Sequence, residues 1–221
     1  SLCADADVVF AGQMTRAQSN VTFKSPGFEI NDVGFLQRAD EVAQSNWFQV
    51  RSDRPTRIFR NRNVNFNQWT GWNFGGDLRF WGGNINSHYT LVSNWSFGGG
   101  LSYNGQGLAD RATRGGPSVY TNPQVSGWTY VNSDNRKPVM FSLNYSAFGD
   151  QHDSHGWDLS PSVVMRPSRA LSVTAGYAIG RNLSQSQWVN NIVADGRARY
   201  IFGRIDQTTM SVSARVNYTM S

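Results

Sequence analysis

The 221-residue chain holds a single cysteine, Cys3, so no disulfide forms within it, and it has only two lysines (Lys24, Lys137) and two glutamates (Glu29, Glu41). Lys and Glu furnish the exposed faces of most soluble helices, and their scarcity excludes a largely helical protein. Charged residues make up 16% of the chain, below the roughly 25% usual for soluble domains. No apolar run approaches the ~18–20 residues that a transmembrane helix needs, and the mean hydropathy is −0.47. This leaves membrane strands open, because a spanning strand needs only about 10 residues and shows lipid only every second one. SLCADADVVF has neither the basic start nor the apolar stretch of a signal peptide, so a mature or internal piece of a longer chain is expected. Leu2-Cys3 has a faint likeness to a lipoprotein processing site, but Asp5 and Asp7 follow at once and an ordinary free thiol is the better reading.

What the chain does have is Gly (22), Asn (20), Trp (8), Tyr (8) and Phe (13), spread over its whole length. Disorder is excluded by those aromatics. The net charge of +5 is carried by 18 Arg. These are scattered rather than gathered into a patch, and Lys is almost missing, so nucleic acid is not an expected partner.

The hydrophobic period is two nearly everywhere. In 138–148, Val139, Phe141, Leu143, Tyr145 and Ala147 form one face opposite Met140, Ser142, Asn144 and Ser146. The same alternation recurs over 95–104, 157–166, 171–180, 191–202 and 209–218. Over 76–91 it slips at Gly82-Gly83, which predicts a glycine bulge there. Short turns are expected near Thr15 and at 53–56, 92–93, 133–137, 167–169 and 204–206. Longer polar loops are expected at 26–45, 105–124, 150–155 and 182–189. Short and long connections in alternation mark an all-β, antiparallel up-and-down transmembrane β-barrel of the outer-membrane kind, with about twelve strands in this chain.

The apolar phase is Leu, Val, Ile, Ala and Gly in mid-strand. Trp95, Tyr103, Trp128, Tyr130, Trp157, Tyr177, Tyr200 and Tyr218 gather towards the ends, as interfacial girdles do. A soluble sandwich is the competing architecture. Strands of about 10–14 residues and a polar face without Lys or Glu count against it.

Several stretches, among them NDVGFLQRADEVAQSNW, QWTGWNFGGDLRFWGGNINSHYTLVSNWSFGGGL, RATRGGP, NSDNRKPVMFSL and YIFGRIDQTTMSVSARVNYTM, resemble one family from about Gly27 to the end. It is the C-terminal membrane barrel called domain of unknown function 5916, found in large bacterial outer-membrane proteins behind a module similar to family 9 carbohydrate-binding domains. The resemblance implies a barrel in the bacterial outer membrane, with lipid as its surroundings. It brings neither an activity nor catalytic residues. No carbohydrate-binding-like module is present here, and Ser221 falls where the family continues and lacks a terminal aromatic. Residues 1–221 are therefore expected to be one barrel domain cut from a longer protein, its edges paired with further strands of that protein or of a partner chain.

The polar phase of the strands would face the lumen, where Asp77, Arg79, Asp195, Arg197, Arg199 and Arg215 either set up a selecting field or neutralise one another in pairs. In the longest loop, Arg111, Arg114, Gly115 and Gly116 offer cations and amides to an anionic sugar or headgroup, or the loop folds inward as a plug. DQHDSHGWD places Asp150, His152, Asp153, His155 and Asp158 close together, a weak metal candidate that reads more simply as a solvated loop. Trp69, Trp72, Trp128 and Tyr130 suit either sugar stacking or interface anchoring. No hydrolase, zinc, phosphate or dinucleotide motif occurs, so neither a cofactor nor an enzyme is expected. Three functions follow: a channel or uptake barrel for a solute such as a glycan, a structural anchor or component of an outer-membrane complex, and a membrane-embedded hydrolase built on His88 with a nearby Ser.

Overall fold

In the computed structural model, which describes residues 2–29 and 38–219, eleven strands form one antiparallel sheet in chain order. They are β1 (Cys3–Ala11), β2 (Thr15–Lys24), β3 (Glu41–Ser52), β4 (Phe59–Trp72), β5 (Leu78–Leu91) and β6 (Ser96–Asn104), followed by β9 (Gln124–Asn132), β10 (Val139–Asp150), β11 (His155–Met165), β12 (Leu171–Ala194) and β13 (Arg197–Tyr218). Two short strands, β7 (Leu108–Ala109) and β8 (Val119–Tyr120), pair with each other inside the 105–123 loop. β1 and β13 are the lateral edges and do not pair with each other, so the sheet is not closed among the described residues.

The register fixes two chemistries on two faces. Directly opposed residues in an antiparallel pair share a face. Phe141 opposes Val163, Leu143 opposes Val131 and Pro161, and Tyr177 opposes Val212. The other phase matches Asn144 with Ser160, Ser162 with Gly176 and Thr174 with Arg215. Phe141, Leu143, Val163, Val173, Val212 and Val216 thus lie on one side, and Asn144, Ser162, Thr174 and Arg215 on the other. The apolar side stays open, with Val212 82% and Leu101 64% exposed, whereas Asn65 on the polar side is 7% exposed. An open apolar face and a crowded polar one reverse the burial of a water-soluble sheet.

Five connections, 12–14, 53–58, 92–95, 133–138 and 166–170, share one end of the sheet, here the turn end. The 25–40, 73–77, 105–123, 151–154 and 195–196 connections share the other, the loop end. The expected turns at 92–93, 133–137 and 167–169 therefore fall together. The expected 26–45 loop is shorter, because β3 begins at Glu41, and 30–37 lies outside the described residues.

Two sequence expectations fail at the C-terminal end. The 182–189 loop and the 204–206 turn are strand: β12 runs for 24 residues and β13 for 22. The chain reverses instead at Asp195-Gly196, with φ of 51° and 70°. Positive φ at both central residues is the type I′ geometry that Asp-Gly favours, and this dipeptide was the signal to follow. β12 absorbs the mismatch with register shifts between Ser184 and Gln187 and between Trp188 and Asn190. Leu183 is the last β12 residue paired to β11, opposite His155. Beyond it the hairpin continues about 30 Å past the loop end, at ~3.3 Å per residue.

The expected bulge at Gly82-Gly83 is also misplaced. Gly82 opposes Trp69 and Gly83 opposes Gln68 in regular order. Gly71 opposes Phe80 while Trp72 opposes Leu78, so the extra residue is Arg79. Phe80 simply lies on the polar face, against the Gly71 position where a Cβ would collide with its ring.

Trp128 and Tyr130 are corrected too. They belong to the polar face, opposite Ser146 and Asn144, and not to an apolar girdle. Room for them comes from the glycine run of β6. A Cβ at Gly98 would sit 2.7 Å from Tyr130 Cε1, and one at Gly100 would sit 2.9 Å from Trp128 Nε1. Gly98→Ala is expected to lower stability by about 1–3 kcal/mol, since ring and backbone must both shift. Gly149→Ala, where nothing lies within 4 Å of the added carbon, is expected to change it by less than about 0.5 kcal/mol. Urea titration of both variants in the detergent that keeps the chain folded checks this contrast.

Candidate functional site: the polar face and the loop that crosses its end

The polar face of β3, β4 and β5 carries a connected run of side-chain amides. Asn65 accepts from Trp47 Nε1 (3.2 Å) and Gln49 Nε2 (2.8 Å), and its Nδ2 donates to Asn63 (3.0 Å) and Asn86 (2.8 Å). Asn86 donates to Asn84 at 2.9 Å, and Asn67 donates to the same oxygen at 2.7 Å. Trp69 on the same face donates to Asn104 of β6 at 3.2 Å. Asparagine suits this position because one short amide both donates and accepts, so each links two neighbours without adding charge.

Beside the amides lies an aromatic shelf. Trp128 and Tyr130 are parallel within 11°, with centroids 6.1 Å apart. Both lean from β9 over Gly98 and Gly100 towards β5, where His88 packs 5.5 Å from Trp128 and 5.8 Å from Tyr130. His88 Nδ1 and the Tyr130 hydroxyl share a 3.0 Å hydrogen bond. The imidazole expected beside a serine is thus held by a phenol. Further towards the turn end, beginning at Asn132 two residues beyond Tyr130, is a cavity of about 540 Å³ whose lining includes Arg60, Thr90, Ser96, Ser142 and Ser162 as well as Met140, Phe141 and Val164. Apart from the bulged Arg79, the polar phase of β5, β6 and β9 holds no Asp, Glu, Lys or Arg.

The charges expected on the lumen-facing phase fall mostly at the loop end. Asp77 closes the 73–77 turn, its backbone N–H donating to Asn73 Oδ1 at 2.7 Å. Arg79, buried at 8% exposure, pairs with Asp110 and lies 3.8 Å from Asp40, while Arg38 donates to Asp110 at 2.8 Å. Asp195 and Arg199 pair at 3.2 Å across the tip of the projecting hairpin, and Arg197 begins β13 there. Of the six, Arg215 alone keeps the assigned place on the polar wall, opposite Thr174.

The 105–123 loop is tied down on both sides. Gly107 lies against the backbone of Arg79, and Asp110 is gripped by Arg79 and Arg38. At its far side the Arg114 guanidinium lies 4.1 Å over the Trp188 ring, and Asn191 donates to the Thr113 (2.8 Å) and Arg114 (3.2 Å) carbonyls. Gly116 packs against the Tyr200 ring, and Gly115 takes a φ of 99°. Arg114 and Gly116 thus pack the loop against the β12–β13 hairpin. Arg111 accepts at its carbonyl from the Arg114 N–H, 3.1 Å away, within the same turn. The loop runs from β5 to the β12–β13 hairpin across the loop end.

Asp150, His152 and His155 do not converge: among the described residues no three His, Cys, Asp or Glu group together. Asp150 caps its turn by accepting from the His152 and Ser154 N–H groups, and His155 Nδ1 sits 2.9 Å from the Asp153 carbonyl. Asp153 occupies a turn with φ of 61°, and Asp158 lies on the polar phase of β11 opposite Ser146. Cys3 is a free, exposed thiol on β1. Trp72 lies where the β4 ladder shifts register, opposite Leu78.

An up-and-down antiparallel sheet with one apolar and one polar face is a porin-like fold. The chain is similar in fold to an anion-selective porin from Comamonas acidovorans, with a TM-score of 0.53 and 10% identity over 96% of this chain and 58% of that one. It therefore spans less than two thirds of that porin. By sequence the chain belongs to the family described as a domain of unknown function (DUF5916), which matches residues 7–221. No curated protein matches it.

The ion cluster under the loop makes a prediction. Burial pushes the Asp110 carboxyl up, but the hydrogen bond from Arg79 and the charges of Arg38 and Arg79 hold it below its ordinary value of 3.8. A depressed folded-state value means that its contribution is whole above the ordinary value and is lost as pH falls through the folded one. The loop should resist protease from pH 7 down to about 4.5 and open only in stronger acid. Asp110→Asn leaves Arg79 without its nearest partner and should cost about 3 kcal/mol. It should also expose 105–123 to cleavage at neutral pH, read by limited proteolysis.

Proposed function

We propose that this chain forms much of the wall of a bacterial outer-membrane barrel that passes a neutral, polar solute. The observation that carries the reading is the division of the two faces. An apolar face left open over eleven strands is stable against lipid, and a polar face of amides and hydroxyls is stable against water. The likeness to a porin supports the same arrangement. In lipid, the unpaired edges of β1 and β13 would each cost several kcal/mol per orphaned amide or carbonyl. Further strands, from the same polypeptide or a partner chain, therefore complete the barrel.

The solute is neutral because the central polar face is. The polar phase of β5, β6 and β9 is free of charge apart from the bulged Arg79. The charges on this face stand on other strands, as Asp5 and Asp7 do on β1, Asp158 on β11 and Arg215 on β13, or pair near strand ends, as Lys24 does with Glu41 at 3.0 Å. The 105–123 loop favours a second reading, an anchor whose mouth is shut by a fixed strap. Planar-bilayer recording of the full-length protein decides between them. The channel reading expects discrete conductance steps and a reversal potential near zero in a potassium chloride gradient, since no charged ring selects an ion. Membranes that stay silent with protein inserted would leave the anchor reading in its place.

A further inference from the structure

We infer that the shelf of Trp128 and Tyr130, with the polar cavity beside it, is a binding subsite for an uncharged oligosaccharide; this rests on the reading that the polar face lines a water-filled passage. Three observations converge. First, two large rings stand on the polar face, where a hydrophobic effect directed at lipid gives no reason for them. They stack on each other, parallel within 11°, and Trp128 keeps 36% of its area exposed as a ring face open to a ligand. A pyranose offers such a surface its axial C–H bonds, whose partial positive charge meets the negative face of an aromatic ring.

Second, the rings are held in place from beneath. The Gly98 and Gly100 slots leave no room for another side chain, and the 3.0 Å bond to His88 fixes the Tyr130 ring at its far end. A shelf whose rotamers are locked spends little conformational entropy when a ligand lands on it. Third, the neighbouring cavity of about 540 Å³ sets the Thr90, Ser96, Ser142 and Ser162 hydroxyls and the Asn132 amide beside apolar Met140, Phe141 and Val164. The hydroxyls and the amide both donate and accept, as sugar hydroxyls do, and they carry no charge to favour an ion. One saccharide unit stacks on the shelf while the next hydrogen-bonds in the cavity. Arg60 at the margin is the one charged lining group.

The test uses the full-length protein in detergent, with maltohexaose, cellohexaose and chitohexaose as probes and tryptophan fluorescence and calorimetry as readouts. At least one probe should bind with a Kd below 10 mM. Trp128→Ala should weaken it at least tenfold, and Trp72→Ala, which leaves the shelf intact, should not. Trp128→Ala empties the Gly100 slot and so risks the fold. Asn132→Leu and Ser142→Val therefore change the cavity alone, and each should weaken binding several-fold. Lack of binding by all three probes, or equal affinity in every variant, overturns the inference. Such a result alongside clear conductance steps would leave the channel reading standing. Binding that fails in the cavity variants, in a protein that never conducts, would remove the channel reading but keep the subsite.

Discussion

Every feature of this sheet depends on the period-two ladder. Because opposed residues share a face, a register that matches Phe141 to Val163 also matches Ser142 to Ser162, and a slip of one residue in any strand would exchange its lipid-compatible and water-compatible sides. Ten successive antiparallel pairings hold that phase from β1 to β13. One local irregularity re-aims a side chain. Arg79 is the extra residue where β5 shifts against β4, and this puts a buried guanidinium beneath the loops rather than on either face.

Burial also explains why the polar face is built from Asn, Gly and aromatics. A crowded concave surface admits few long charged side chains without a partner for each. Asn65 satisfies four hydrogen bonds while 7% exposed, a role that Lys or Glu cannot fill. Rings on this face need slots, and the Gly98–Gly100 run of β6 provides them for Tyr130 and Trp128. Charges are placed where they pair. Asp134, 3% exposed in the 133–138 turn, is held far below the ordinary carboxylate range by hydrogen bonds from the Arg136 side chain and N–H. The loop end is held by Arg38, Arg79 and Asp110.

Much of the fold was legible because alternation states the face of a residue directly. The faces assigned to Phe141, Leu143, Val163, Val173, Val212 and Val216 agree with the register. Alternation does not say where a strand ends. Gln, Ser and Asn over 182–189 read as a loop by composition, yet they pair across to β13 because Asp195-Gly196 is a far stronger reversal than Arg204 to Asp206. Nor does it assign faces where both phases are mixed. In β9, Trp128 and Tyr130 alternate with Gly127 and Thr129, so the bulkier phase looked like the lipid side. The deciding signal lay in a different strand, the three glycines of β6, and only the pairing of β6 with β9 brings them together. The ionic cluster was out of reach for the same reason, since Arg38 and Asp110 come from two separate connections and Arg79 from the start of β5.

The central claim is that the polar face meets water while the apolar face meets lipid, within one membrane-embedded wall. Nitroxide labels at 141, 142, 143 and 144 of β10, each introduced as a single cysteine in a Cys3→Ser background and reconstituted in lipid vesicles, test it most directly. Collision rates with oxygen, which concentrates in the bilayer, should peak at Phe141 and Leu143. Those with a water-soluble nickel chelate should peak at Ser142 and Asn144. The same collision rates at all four positions, or the opposite phase, would contradict the account.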